Sequence, residues 1–157
     1  MKILFVCEAN ICRSAMAEAL GKHLLRLNSL KGTIKSAGVR AYEGSTMSDL
    51  TKKVLKDNKV RAHSHKSTRL SDRHLKRFDY ILTATNIQKV NIVSFAKEFD
   101  LAEYINKVYT LGEFAGSGED VKDPYGYDYD SYAYTFNKVA PLVKKAIEKI
   151  TGYNIYV

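Results

Sequence analysis

The 157-residue chain has no tryptophan, two prolines and two cysteines. Two cysteines cannot form a disulfide framework, so the fold must rest on a hydrophobic core, which a chain of this length can bury. They are also too few for a structural zinc site, and no other ligands stand beside them, so no metal is expected. No apolar run approaches the ~20 residues of a membrane span. The five apolar residues after Met1-Lys2 are too short for a secretory signal. Repeats, low-complexity segments and linkers are lacking as well. These absences predict one domain over residues 1–157, no membrane insertion and a cytoplasmic location.

Charge of one sign is in excess. Lys and Arg number 25 against 17 Asp and Glu, a net +8. Between Lys52 and Arg77 the basic residues are spread without a nucleic-acid motif, so no nucleic-acid partner is expected; the positive field would instead steer anionic substrates.

The most informative segment is Val6-Cys7-Glu8-Ala9-Asn10-Ile11-Cys12-Arg13-Ser14. Before it, Lys2 to Val6 is a short apolar run suited to a buried strand. After it, Met16, Leu20, Leu24 and Leu27 recur at helical spacing beside Ala17, Glu18 and Ala19, predicting an amphipathic helix that ends near Gly32. The loop from Cys7 to Arg13 therefore enters a helix N-terminus, where free backbone N–H groups and the helix dipole can hold a dianion. Arg13 adds a planar fork of donors that lysine lacks. Such surroundings favour thiolate over thiol at Cys7, and Ser14 can donate to that sulfur when it acts as a leaving group.

Farther along, Thr33 to Ala37, Tyr80 to Ala84 and Lys107 to Leu111 read as strands, with helices over Ser48 to Leu55 and around Ile87 to Phe95. Alternating strands and helices predict an α/β fold with a parallel sheet covered on both faces, its ligand site beyond the carboxyl ends of the strands. The last helix buries Phe136, Val139, Val143, Ile147 and Ile150, and Pro141 marks a kink or a start. Asp123-Pro124 can present a carboxyl for general acid work on a stiffened loop. His23, His63 and His74 read as surface histidines.

The segment Cys7, Asn10, Cys12, Arg13, Ser14 resembles the signature of the low-molecular-weight protein tyrosine phosphatases. The resemblance continues through Ser36-Ala37-Gly38, Phe78-Asp79-Tyr80-Ile81-Leu82 and Asp123-Pro124-Tyr125, covering nearly the whole chain. It implies a four-stranded sheet of order 2-1-3-4 and hydrolysis of phosphotyrosine, and of aryl phosphates, through a cysteinyl-phosphate. Cys7 would be the nucleophile, Arg13 the phosphate clamp and Asp123 the acid and then the base, with no cofactor. Glu8, Ala9, Asn10, Ile11, Cys12 and Ser14 would line the phosphate site, Tyr42 and Tyr125 its aromatic walls, and Ser36 and His65 would support the loop. Cys12 is either a small buried side chain or, as the resemblance favours, a reversible disulfide partner of Cys7. The implied partner is a phosphotyrosine protein, a tyrosine kinase being one kind, with phosphate as product.

Departures accompany the match. Ala9 replaces a glycine, so its φ is negative or strain is tolerated; Ala15 replaces a proline; Thr85 stands where an acidic residue is common. Glu8 replaces an apolar rim residue and should oppose a dianion, slowing small aryl phosphates in a way that Glu8→Leu relieves. Related enzymes include arginine phosphatases, which carry threonine where this chain has Ile11, and thiol-linked arsenate reductases, which need cysteines beyond Cys12. A phosphate- or phosphotyrosine-binding module with weak catalysis is the remaining alternative.

Overall fold

A computed structural model describes residues 1–157. Strands β1 (Lys2–Cys7), β2 (Thr33–Gly38), β3 (Tyr80–Thr83) and β4 (Val108–Thr110) form one parallel sheet in the order β2-β1-β3-β4. Helices α1 (Arg13–Leu27), α2 (Asp49–Asp57), α3 (Asp72–Arg77), α4 (Asn86–Glu98), α5 (Leu111–Ala115) and α6 (Tyr129–Thr151) cover its faces, with a 3₁₀ turn at Ala102–Lys107. The expected α/β fold and strand order are those observed. No helix is long and apolar enough to cross a membrane.

Alternation along the central strand β1 divides the core. Ile3, Phe5 and Cys7 join a cluster of 27 buried residues with α1, α5 and α6, whereas Leu4 and Val6 join one of 10 with Leu75, Phe78, Ile92 and Ala96. The second face is thinly covered, because α3 has only six residues and buries one of them, Leu75. Cys7 is the last residue of β1 and pairs with Gly38, the last of β2, so the loop that follows emerges at the carboxyl edge of the sheet.

Several boundaries differ from expectation for local reasons. Helix α1 stops at Leu27, where Asn28 caps it by donating from Nδ2 to the Leu24 carbonyl oxygen at 2.8 Å, and Leu27 is exposed rather than part of the buried stripe. Pro141 is neither a start nor an end: α6 runs through it, and its missing N–H lies within a helix held by burial of Phe136, Val139, Val143 and Ile147. Helices α3 and α5 are too short to show periodicity. Each is set by its cap, Ser71 with His74 for α3 and the Thr110 hydroxyl for α5. Thr85 caps α4 in the same way and forms a reciprocal pair with Gln88.

Candidate active site

Between β1 and α1 the loop turns around the Cys7 sulfur. The Asn10 N–H donates to Sγ at 3.3 Å, and the Ser14 hydroxyl lies 2.9 Å away. Asn10 alone in the loop takes the left-handed conformation, with φ of 60°, a conformation asparagine tolerates better than most residues. Ala9 has no positive φ, so its extra Cβ brings no such strain. The loop rests on Gly38, where an added Cβ would sit 2.5 Å from the Glu8 carbonyl oxygen and 3.0 Å from the Asn10 nitrogen.

Loop carbonyls face the surrounding protein. Those of Cys7, Glu8 and Ile11 accept from the backbone amides of Val39, Arg40 and Ser48 at 3.0, 2.9 and 3.0 Å. The amides of Glu8, Ala9, Ile11, Cys12, Arg13 and Ser14 donate to no backbone acceptor. A run of free amides at a helix start, around a sulfur, is an anion cradle.

The support behind it has a fixed direction of donation. Glu18 lies one turn along α1 from Ser14 and is buried. Its carboxylate can only accept, so Ser36 donates to Glu18 Oε2 and in turn accepts from Asn10 Nδ2 at 2.8 Å. That orients the Asn10 amide, whose Oδ1 accepts from the Thr68 N–H at 2.9 Å and whose Nδ2 donates to Ser14 Oγ at 2.7 Å. Ser14 is then left with its own proton for the Cys7 sulfur. On the far side, His65 Nε2 donates to the Asn10 carbonyl oxygen at 2.6 Å, so in the neutral ring Nδ1 accepts from His63 Nε2 at 2.9 Å. His63 Nε2 also faces Glu18 Oε2 at 3.2 Å.

Burial by itself would raise the Glu18 carboxyl, but hydrogen bonds from His63, Lys22 and Ser36 outweigh it and hold the pKa at about 2. Burial pushes His65 below the ordinary histidine range, against the opposing pull of the Asn10 carbonyl and Glu18. His63 is therefore no surface residue but part of the loop support, and His74, half-buried, accepts the Ser71 N–H at the start of α3. Glu18, His63 and His65 also bring one ligand atom each within 4.8 Å, a donor set suited to a divalent cation that spacing along the chain did not reveal. All three are committed to the bonds just described.

Arg13 begins α1 with a side chain only 6% exposed. Its Nη1 donates to the Val121 carbonyl oxygen at 3.0 Å and its Nη2 lies 3.5 Å from Asp123 Oδ2, while Nε is buried without a partner. That orphaned donor fits an anion in the cradle, since a buried unpaired N–H is costly. Asp123 is half exposed, and its Oδ1 accepts the Tyr125 N–H at 3.1 Å. Pro124 is buried and anchors the loop, and the Val121 amide ties the segment to the Ala84 carbonyl oxygen at 2.8 Å.

The rim is looser. Tyr42 is 85% and Tyr125 63% exposed, so neither ring is packed into a wall. Glu8 pairs with Arg40 at 3.2 Å. Both cysteines are free thiols, and Cys12 lies 3.4 Å from both the Ser48 and the Tyr132 hydroxyls. Tyr132 is pushed up to about 12 by burial and by its bond to Cys12. Glu18, Thr68, Val121 and Tyr132 join the site without belonging to any of its sequence motifs. The i, i+4 spacing of Ser14, Glu18 and Lys22 on one helix face was the available signal for the first. The spacing of Tyr132 from Phe136 was the signal for the last.

The model of the family described as Low molecular weight phosphotyrosine protein phosphatase matches residues 2–153. The chain is 36% identical over 151 residues to the protein-arginine-phosphatase of Geobacillus stearothermophilus, covering 95% of each. It is 33% identical over 150 residues to low molecular weight protein-tyrosine-phosphatase PtpB of Staphylococcus epidermidis, covering 92% of this chain and 96% of that one. The crystal structure of the low molecular weight protein tyrosine phosphatase from T. tengcongensis superimposes with a TM-score of 0.88 at 35% identity, covering 95% of this chain and 99% of that one. The anion cradle between β1 and α1 thus sits in a chain that belongs to the low molecular weight phosphotyrosine protein phosphatase family.

Proposed function

We propose that this chain, acting as one domain over residues 1–157, hydrolyses phosphotyrosine in proteins, and simple aryl phosphates, through a phosphocysteine on Cys7. The observation that carries the reading is the Cys7 sulfur enclosed by Asn10 N–H and the Ser14 hydroxyl beside free loop amides, with the orphaned Arg13 Nε and the Asp123 carboxyl close by. The Cys7 thiolate attacks phosphorus as the bond to the tyrosine oxygen breaks, and Asp123 gives its proton to that oxygen. Arg13 and the amides of Glu8 to Ser14 hold the three equatorial oxygens. Asp123, now a carboxylate, takes a proton from water whose oxygen attacks phosphorus; the S–P bond breaks, phosphate leaves and the Ser14 hydroxyl donates to the returning thiolate. Ser36 and His65 act through Asn10 as positioning residues.

Ile11 and the rings of Tyr42 and Tyr125 at the rim favour an aryl group on the departing oxygen. A second reading, phosphoarginine, is favoured by the 36% identity to the Geobacillus stearothermophilus arginine phosphatase and by carboxylates at Glu8 and Asp123, which would pair with a guanidinium. Partners under the first reading are phosphotyrosine proteins, tyrosine kinases among them, and a working free thiol suits the reducing cytoplasm. Wild type, Cys7→Ser and Asp123→Asn are compared on an aryl phosphate, a phosphotyrosine peptide and a phosphoarginine peptide. Loss of turnover in Cys7→Ser, and a fall of about 10²–10⁴ in kcat for Asp123→Asn, are expected on the first two. Equal rates for all three proteins would refute the enzyme, and preference for the third substrate would select phosphoarginine.

A further inference from the structure

Helix α3 leaves part of the second sheet face open. Lys2 on β1 has the parity of Leu4 and Val6, and Lys35 on β2 that of Ala37, so both lysines stand on this thinly covered face. With Arg69, Arg73 and Arg77 they line a groove of about 710 Å³ in which one of twelve lining residues is hydrophobic. All five cations are exposed, and none belongs to a salt bridge within the chain. The single carboxylate in the lining, Glu43, accepts the Arg69 N–H at 2.6 Å. Five like charges around one concavity repel each other, and their field is focused there.

We infer that this groove docks an acidic segment of the phosphoprotein substrate, outside the residues that surround the phosphorylated side chain. The inference rests on the phosphatase reading of the Cys7 loop. Its wall is continuous with that loop: Thr68, in the groove lining, donates its N–H to Asn10 Oδ1 at 2.9 Å, and Arg69 pairs with Gly38, on which the loop rests. A chain that leaves the cradle past Thr68 meets Arg69 first, and the other cations follow along α3 and toward the amino edge of the sheet at Lys35 and Lys2. The occupant is a peptide rather than a single-stranded nucleic acid because the lining has only two aromatic rings, the buried Phe78 and the half-buried His74, and these stack on each other, so no run of open ring faces is offered to successive bases. Aspartate and glutamate side chains are the complementary groups.

The test uses two phosphotyrosine peptides that differ only in a flanking tract, Glu-rich in one and Gln-rich in the other. Wild type should show a KM about tenfold lower for the Glu-rich peptide at low salt, with kcat unchanged and the difference shrinking as salt rises. The double variant Lys35→Glu, Arg73→Glu reverses one charge on β2 and one on α3 without touching the cradle. It should abolish the KM difference while leaving small aryl phosphate turnover at the wild-type rate. Fluorescence anisotropy with the unphosphorylated Glu-rich peptide gives a readout independent of catalysis, and the variant should weaken that binding about tenfold. A wild type that does not distinguish the two tracts, in KM or in anisotropy, overturns the docking site even if aryl phosphate is hydrolysed normally. Charge-reversal that weakens binding of an oligonucleotide but not of the peptide overturns it in favour of nucleic acid. Failure of aryl phosphate turnover alone would count against the phosphatase reading and leave the anisotropy result to decide the groove.

Discussion

Behind the Cys7 sulfur, Asn10, Ser14, Ser36 and His65 are buried and joined by hydrogen bonds of 2.6–2.9 Å, with ionised Glu18 fixing the direction of donation. In front of it, Asp123 is half exposed and held by one amide and the edge of Arg13, while Tyr42 and Tyr125 extend into solvent. The difference follows from what each half must do. A phosphate offers the same oxygens in every substrate, so donors aimed at it are best fixed beforehand. The departing group varies in size and flanking sequence, and the side that meets it works with side chains that can move. Rigidity is therefore concentrated on the constant part of the substrate.

The strongest attack on that contrast is at Asn10, which joins both arms of the support and carries the positive φ. Asn10→Ala removes the bonds to Ser14, Ser36 and Thr68 and forces alanine into the left-handed region. A loss of about 3–4 kcal/mol in unfolding free energy is expected, together with a large fall in kcat and little change in KM for phosphate esters. Asn10→Gly relieves the backbone strain but not the lost bonds, so its stability should fall between the two in denaturant titrations. If Asn10→Ala kept the wild-type kcat, preorganisation of the cradle would not be the reason for the buried half.

Glu18 allows a gentler test through pH. Its folded pKa of about 2 is below the ordinary carboxyl value of 4.5, so its contribution is fully present above pH 4.5 and is lost as pH falls toward 2. The contribution amounts to at most about 3 kcal/mol. His65 acts at higher pH: its folded pKa is depressed below 6.5, the unfolded chain takes up the proton first, and stability falls as pH drops below 6.5. Wild type should thus lose stability in two stages on acidification. Glu18→Gln should flatten the stage below pH 4.5, lower stability at neutral pH by about 2 kcal/mol and reduce kcat, because Ser36 can then reverse its hydrogen bond and free the Asn10 amide to rotate. A neutral-pH stability equal to wild type, with an unchanged acid limb, would show that the carboxylate does not orient the network.

The same contrast decides what could be read from sequence. Cys7 to Ser14 is contiguous, so its strand-loop-helix context and the spacing of its chemistry were visible along the chain, and the alternation of strands and helices gave the parallel sheet. Asp123 was recoverable only because Pro124 and Tyr125 follow it. Glu18 looked like a helix former and His63 like a surface residue, since their meeting requires that α1 and the segment before α3 close over β2. Helices α3 and α5 were invisible because five or six residues cannot display a period. The groove cations were all present in the sequence, but only the parity of Lys2 and Lys35 on one sheet face, opposite α3, turns a scattered excess of charge into a concave surface.

The smallest expected effect lies at Glu8, on the boundary between the rigid and the mobile halves. Its backbone carbonyl accepts from Arg40 N–H at 2.9 Å, as the buried half would have it, but its carboxylate turns outward to the Arg40 guanidinium at 3.2 Å. A bare carboxylate there would repel the incoming dianion; one paired with an exposed arginine presents mainly a dipole, and at solvent-like dielectric the residual repulsion is below about 1 kcal/mol. The two residues should therefore not act independently. Glu8→Leu is expected to raise kcat/KM for a small aryl phosphate about twofold, and Arg40→Ala to lower it about threefold by unmasking Glu8. In the double variant the arginine has no carboxylate to mask, so its loss should cost less than it does in the presence of Glu8. Strict additivity in this cycle would mean that the ion pair does not shield the cradle, and a Glu8→Leu variant slower than wild type would mean that the carboxylate helps the substrate in.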